Sequence, residues 1–338
     1  MTQKILVTGG AGFIGSNYIE MALANKGLEI VNLDCMTYAG SHKNMTSFAD
    51  HERYTFVNGD IRDRDLIEEL FEVHDFNGVI HFAAESHVDN SISGPEAFIT
   101  TNVNGTFNLL DVARHAWMDA PFKVKPGKES NRFLHISTDE VYGTLGAEGL
   151  FTETTPYAPN SPYSASKAAS DMIVRSYFHT FGMNVVTTNC SNNYGPHQHD
   201  EKLIPTIIRN AVKKKPIPIY GDGLNVRDWL YVTDHCRGIE LAYIEGKSGE
   251  TYNIGGDNER TNLYIAEKIC ALMDELYPSE AGSHKQLITF VSDRPGHDKR
   301  YAIDATKITR DLGWVAEENF ESGIVKTITH YVEKYTEI

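Results

Sequence analysis

The run Ile5-Leu6-Val7-Thr8, followed at once by Gly9-Gly10-Ala11-Gly12-Phe13-Ile14-Gly15, limits what this chain can fold into more than any other stretch. The first four residues read as a buried strand, and Ser16–Asn25 carries a helical pattern. Glycines fit the joint in two registers, Gly9/Gly12/Gly15 or Gly10/Gly12/Gly15. In either, they allow a tight turn and a close approach of the backbone to a ligand. A helix that starts there offers unpaired N–H groups and the positive end of its dipole. A plain tight turn would also explain the glycines. The strand before them and the helix after them favour a pyrophosphate cradle built from Gly9, Gly12, Phe13, Ile14 and Gly15, and hence a dinucleotide site.

The pattern after this turn extends the same architecture. Strand candidates at Lys4–Thr8, Glu29–Leu33, Thr55–Asn58, Gly78–Phe82, Arg132–Ser137 and Asn184–Asn189 alternate with helical stretches at Ser16–Asn25, Asp63–His74, Thr101–His115 and Tyr163–Phe181. Continuous apolar strands separated by helices predict a doubly wound, Rossmann-type α/β fold with a parallel sheet. Past Cys190, loops rich in Gly and Pro interrupt shorter elements. This predicts a cofactor domain over residues 1–190 and a smaller α/β substrate domain over 191–338, with strands at Trp229–Val232 and Thr251–Ile254 returning to the main sheet.

The 338 residues include 46 acidic and 31 basic ones, a formal charge of −15, which disfavours a nucleic-acid or anionic-membrane partner. Cys35, Cys190, Cys236 and Cys270 form no CxxC pair, and no run approaches 18 apolar residues. With a strand starting so near Met1 that no signal peptide fits, a soluble cytoplasmic protein is expected. His197 and His199 have no third ligand spaced to join them, so no metal site is expected.

Asp34 ends the second strand, 19 residues after Gly15. A carboxylate there holds ribose hydroxyls and repels a 2′-phosphate, which favours NAD over NADP. Asp60-Ile61 and Phe82-Ala83-Ala84-Glu85-Ser86 end later strands. They fit either cofactor-crossing loops or ordinary strand-end packing. Tyr163 and Lys167 stand at i,i+4 on one helix face, a phenol beside an ammonium able to lower its pKa. Thr138-Asp139-Glu140 ends the preceding strand. The adjacent acids are either an N-cap with a first-turn acid, or a general acid beside a general base.

These motifs together resemble the extended short-chain dehydrogenases/reductases, and Thr138-Asp139-Glu140 resembles their sugar-nucleotide 4,6-dehydratase branch. Thr37-Tyr38-Ala39-Gly40, Ala84–Asp89, Cys190–Pro196, Glu201–Pro205, Arg227–Leu230 and Asp293–His297 carry the likeness along nearly the whole chain. Asn90 departs from a frequent arginine, and Leu145–Phe151 is short compared with some members.

The resemblance implies NAD chemistry on a thymidine-linked sugar nucleotide, dTDP-glucose, in deoxysugar biosynthesis of the rhamnose type. By it, Tyr163 removes the 4-hydroxyl proton with Thr138 holding the oxygen, Glu140 takes the C5 proton, and Asp139 protonates the leaving 6-hydroxyl. Besides the residues above, it implies cofactor contacts at Cys35, Met36, Thr37, Thr101 and Asn193. Substrate contacts are implied at Ser86, His87, Asn192, Lys202, Leu203, Pro218, Ile219, Tyr220, Arg227, Asn262, Asp293, Arg294, Pro295, Gly296 and His297. It also implies a homodimer paired through Thr101–His115 and Tyr163–Phe181. Arg227-Asp228 and Asp293-Arg294 could instead be surface ion pairs. A nucleotide-sugar 4-epimerase or decarboxylase would share Tyr163, Lys167 and NAD without needing the two acids. A dinucleotide-sensing binding protein would lack the Tyr/Lys pair.

Overall fold

The computed structural model describes residues 3–280, 282–293 and 295–336. Its first half alternates β1 (Gln3–Thr8), α1 (Phe13–Ala22), β2 (Leu28–Asp34), β3 (Tyr54–Asn58), α2 (Arg64–His74), β4 (Gly78–His81), α3 (Thr106–Trp117), β5 (Arg132–Thr138), α4 (Pro162–Phe181) and β6 (Val185–Cys190). Local chemistry sets several boundaries. The Asp63 side chain accepts from Leu66 N–H and starts α2. Ser161 and Ser164 form a capping box before α4, Pro162 fills its first position, and Gly182 ends it with φ 70°.

β7 (Asn192–Tyr194), α5 (Leu203–Val212), β8 (Ile217–Tyr220), β9 (Val226–Tyr231), α6 (Val232–Glu245), β10 (Thr251–Ile254), β11 (Glu259–Thr261), α7 (Asn262–Leu276), β12 (Ile288–Val291) and α8 (Phe320–Thr336) follow. The main sheet runs β10-β6-β5-β4-β1-β2-β3, with every pairing parallel. Alternation along β1 divides its two faces. Ile5 and Val7 join a core with Tyr18 and Ile19 of α1 and Cys236 and Ile239 of α6, whereas Leu6 joins Leu70 of α2, Leu109 of α3 and Val174 of α4. The fold is therefore the doubly wound one expected, with helices on both faces.

One strand differs from expectation. β10 does pair with β6 in the main sheet, but β9 lies between β7 and β11 in a separate three-stranded sheet. The edge of β6 is already taken by β10, so β9 finds its partners in the loop strands on either side. A third core, with Ile207 of α5, Ile265 and Ile269 of α7 and Ile324 and Ile328 of α8, underlies this small sheet together with Trp229 and Tyr231. Among the described residues no helix is long and apolar enough to cross a membrane.

Candidate active site

Strand order reverses beside β1, whose neighbours are β2 and β4, and ligands of open α/β sheets bind beyond the carboxyl ends of the strands at such a point. A cleft of about 440 Å³ opens there. Gly9, Gly12 and Gly15 line it, whereas Gly10 does not. Gly10 instead presses on the sheet, where an added Cβ would sit 2.4 Å from both Asn32 Oδ1 and Ile19 Cδ1. Gly9 has φ +76°, and a Cβ there would stand 2.6 Å from Ala83 N. A Cβ on Gly15 would meet Gly9 O at 2.4 Å. Among the described residues no side chain caps α1, which leaves its first-turn N–H groups uncapped, and Phe13, Ile14 and Gly15 belong to the cleft wall. These features fit a dinucleotide pyrophosphate.

Asp34, at the end of β2, accepts from Ala11 N–H at 2.9 Å and Met36 N–H at 2.8 Å, which ties the glycine turn to the second strand. Burial pushes its carboxyl above the usual range. Asp60 is gripped by Arg62, with Nε 3.0 Å from each carboxylate oxygen, and is held below its ordinary pKa. The 82–86 loop is fixed by Asn102: its Oδ1 accepts from Glu85 N–H at 2.8 Å, and its Nδ2 donates to Glu85 O and Ser166 Oγ. Thr101 reaches the wall from the same Ile99–Gly105 segment, wound as a π-helix.

The reactive groups converge from β5 and α4. Thr138 caps a four-residue 3₁₀ turn, accepting from Glu140 N–H at 3.3 Å, while its hydroxyl stands 3.3 Å from Asp139 Oδ1. The cap is thus Thr138 and not Asp139. Asp139 is 2% exposed, and its Oδ2 has no hydrogen-bond partner among the described residues. Burial, then Glu140 and Asp228, push its carboxyl well up, with Arg227 opposing. That suits a proton donor. Tyr163 and Lys167 share the cleft with these acids. Lys167 Nζ donates to Ile136 O at 2.7 Å, and burial lowers its pKa. The expected lowering of the Tyr163 pKa is not found in the protein alone. Burial, Glu140 and Cys190 push the phenol well up, and only a hydrogen bond with Thr138 works the other way.

Of the expected cofactor residues, all but Met36 line the cleft; Met36 contributes its N–H to Asp34 instead. Of the expected substrate residues, Ser86, Thr138, Asn192 and Lys202 line it. The other described ones lie outside that wall. His87 Nε2 is 3.4 Å from Glu201, and Leu203 opens α5. Pro218, Ile219 and Tyr220 lie in β8, and Asn262 N–H donates to Asn225 O. The Tyr220 and His297 rings are 6.4 Å apart, and His297 Nδ1 is 2.6 Å from Asp293 Oδ1. Gly296 has φ +66° beside Pro295, and Arg294 lies outside the described residues.

Arg227 is buried: it donates to Asp298 O at 2.9 Å and lies 4.3 Å over the Tyr301 ring. Its partner in sequence, Asp228, is 1% exposed and accepts from Gly256 and Asn258 N–H. A surface ion pair is therefore ruled out for Arg227-Asp228. Among the polar side chains on the wall, sequence reasoning did not assign Arg62, Ser137, Ser191, Gln198, His199 and Glu201. The polar loop after Gly195 was the available signal for the last three. Among the described residues no group of three or more His, Cys, Asp or Glu is arranged to hold a metal ion.

Comparison with known proteins agrees with this geometry. Residues 6–327 match the family described as GDP-mannose 4,6 dehydratase. A dTDP-glucose 4,6-dehydratase of Xanthomonas campestris pv. campestris is 53% identical over 332 residues, 98% of this chain and 93% of the relative. A crystal structure of dTDP-glucose 4,6-dehydratase from Bacillus anthracis in complex with NAD has a TM-score of 0.86 at 43% identity, covering 99% of this chain and 98% of that one. The Streptomyces venezuelae enzyme of the same name, with NAD and dTDP bound, has a TM-score of 0.88 at 42% identity over the same shares. The chain belongs to the GDP-mannose 4,6 dehydratase family.

Proposed function

We propose that this chain is an NAD-dependent hydro-lyase that converts dTDP-glucose to its 4-keto-6-deoxy product. The observation that carries the reading is the placement of Asp139 and Glu140 in one cleft with Tyr163, Lys167 and the glycine turn. A 4-epimerase needs the last three features but has no water to eliminate. The glycine turn, Asp34 and the 82–86 loop would hold NAD, which when bound would supply a hydride acceptor for C4 and a hydride donor for C6. Tyr163 takes the proton of the 4-hydroxyl, and Thr138 holds that oxygen. With C4 a ketone, the C5 proton is acidic and Glu140 removes it. Asp139, kept protonated by its burial, gives its proton to the departing 6-hydroxyl, and water leaves. The phenol sits well up in the protein alone, so its lowering would come from the positive nicotinamide ring of bound NAD together with Lys167, docked on Ile136 O one helical turn away.

Residues 1–190, joined by α6 and β10, which return to the main sheet and its core, serve the cofactor, and the rest of 191–338 serves the substrate, a division supported by the separate core beneath β7 and β9. A homodimer is supported by Phe107 on α3 and Met172 on α4, which are 43% and 50% exposed on the adjacent helices expected to pair. The free cysteines suit a cytoplasmic setting. The reading is tested by incubating purified protein with dTDP-glucose and UDP-glucose and identifying products by mass and NMR. A dTDP sugar lighter by one water supports it. Unchanged mass with inversion at C4 overturns it.

A further inference from the structure

Tyr163, Lys167 and Asp171 recur at four-residue intervals along α4, so one face of the helix carries all three toward β5. Lys167 reaches the β5 carbonyl of Ile136. One turn further on, Asp171 accepts from Ser137 Oγ at 2.8 Å and Tyr157 OH at 3.0 Å, and His135 Nε2 stands 3.0 Å away. Asp171 and Lys167 are each 4% exposed and His135 is fully buried. Two hydroxyl donors, joined by the His135 ring in the tautomer that donates from Nε2, favour the charged form of this carboxylate against the cost of its burial.

The groups facing that anion can be named element by element. β5 brings His135, whose charged form burial strongly disfavours, and Ser137. The segment before α4 brings Tyr157, whose hydroxyl also accepts from Asn189 of β6. Tyr142 of the 3₁₀ turn feels the Asp171 charge, Cys190 of β6 lies near Lys167, and the His81 ring of β4 lies tilted 5.4 Å from that of His135. Burial pushes both histidines well down, so the cation whose charge this carboxylate feels is Lys167, one helical turn earlier on the same face of α4 and outside direct ion-pair distance.

We propose that Asp171 is a positioning residue for the reaction: its carboxylate is the buried counter-charge that keeps Lys167 a docked ammonium beside Tyr163. The inference rests on the dehydratase reading for its kinetic consequence alone; the charge state of Lys167 is measurable without turnover. Burial raises the Asp171 carboxyl to about 6, with Lys167, Ser137 and Tyr157 working against it. The counter-charge is therefore present above that pH and lost below it. Removing it leaves a buried lysine that sheds its proton at a lower pH.

The test compares wild type, Asp171→Asn, Asp171→Glu and Tyr157→Phe as NAD-loaded enzymes. One arm follows kcat and KM for dTDP-glucose against pH. The other reads the rate of Lys167 acetylation against pH by peptide mass spectrometry. Asp171→Asn should move the Lys167 labelling midpoint and the alkaline limb of kcat to lower pH. It should also cut kcat about tenfold or more at neutrality with KM within about twofold. Asp171→Glu should restore part of both. Tyr157→Phe removes a donor to Asp171, so the acid limb should move up. Coincident labelling and pH profiles in folded Asp171→Asn and Tyr157→Phe would overturn the proposal, as would lost activity with no shift of either limb. If Asp171→Asn does not fold, Tyr157→Phe decides. A wild type that labels as expected but does not dehydrate dTDP-glucose would defeat the functional reading and leave the counter-charge standing.

Discussion

Replacing two glycines of the same turn by alanine should damage the protein in two different ways. A Cβ on Gly15 would stand 2.4 Å from Gly9 O and 2.8 Å from Gly10 Cα. Both are backbone atoms of the turn itself, so neither can swing aside. Overpacking of this kind costs roughly 1–3 kcal/mol, and the turn must open to relieve it. Gly15→Ala should therefore lower the thermal midpoint by several degrees even with no cofactor added. Gly12 is different: its Cβ would meet only Gly9 O, at 3.3 Å, and its φ of −81° suits any residue. A shift of a few tenths of an ångström, offset by the roughly 0.4–1 kcal/mol that alanine gains by restricting the unfolded chain, leaves stability nearly unchanged. Yet Gly12 lines the cleft at the uncapped start of α1. A methyl there keeps the pyrophosphate off the N–H groups, and one lost hydrogen bond to a charged group is worth about 1.5–3 kcal/mol. NAD affinity should fall by about 10- to 150-fold. Differential scanning fluorimetry on stripped protein and calorimetric NAD titration measure the two effects separately. Wild-type NAD affinity in Gly12→Ala, or wild-type stability in Gly15→Ala, would refute this account of the turn.

Other outcomes follow from the same site. Asp34→Asn removes the charge that faces a 2′-phosphate, so the preference for NAD over NADP should narrow by about tenfold or more, with some loss of stability because Ala11 and Met36 lean on that carboxylate; paired calorimetric titrations check it. Asp139→Asn and Glu140→Gln should each lower product formation by about 10²–10⁴-fold while transient oxidation at C4, followed as reduced-cofactor absorbance, persists; near-normal turnover in both would return the pair to a capping role. Burial raises the Asp139 carboxyl, so its proton is retained above the ordinary carboxylate range and lost as pH rises further. The elimination rate should accordingly fall on the alkaline side of that raised pKa, and rapid-quench rates against pH should lose this limb in Asp139→Asn.

The sequence carried the parts of this molecule whose physics is local. β1, the glycine turn and the helix after it were legible because three signals overlap within about a dozen residues. Tyr163 and Lys167 were legible because helical spacing alone puts them on one face. Asp171 continues that spacing, but an aspartate in a helix reads as a solvated face until its burial is known. β9 was misplaced because an apolar run states that a strand is buried and not which sheet holds it; its partners β7 and β11 lie in flanking loops. Thr138 takes the capping role that was one of two readings open for Asp139, because its hydroxyl, one residue earlier, reaches Glu140 N–H. Gln198, His199 and Glu201 reach the cleft on a loop, and nothing in their spacing tells where a loop returns. Gly10 fitted one glycine register by sequence, and only its contact with Asn32 and Ile19 assigns it to packing.

The central claim is that hydride leaves C4 and returns to C6 of one sugar, because Glu140 and Asp139 expel the 6-hydroxyl between the two transfers. dTDP-glucose deuterated at C4, incubated with the purified enzyme and no added cofactor, tests it directly by NMR and mass of the product. The account predicts deuterium at C6 of a 4-keto-6-deoxy sugar lighter by one water, with both signals lost in Tyr163→Phe. Deuterium retained at C4 in a product of unchanged mass would contradict it.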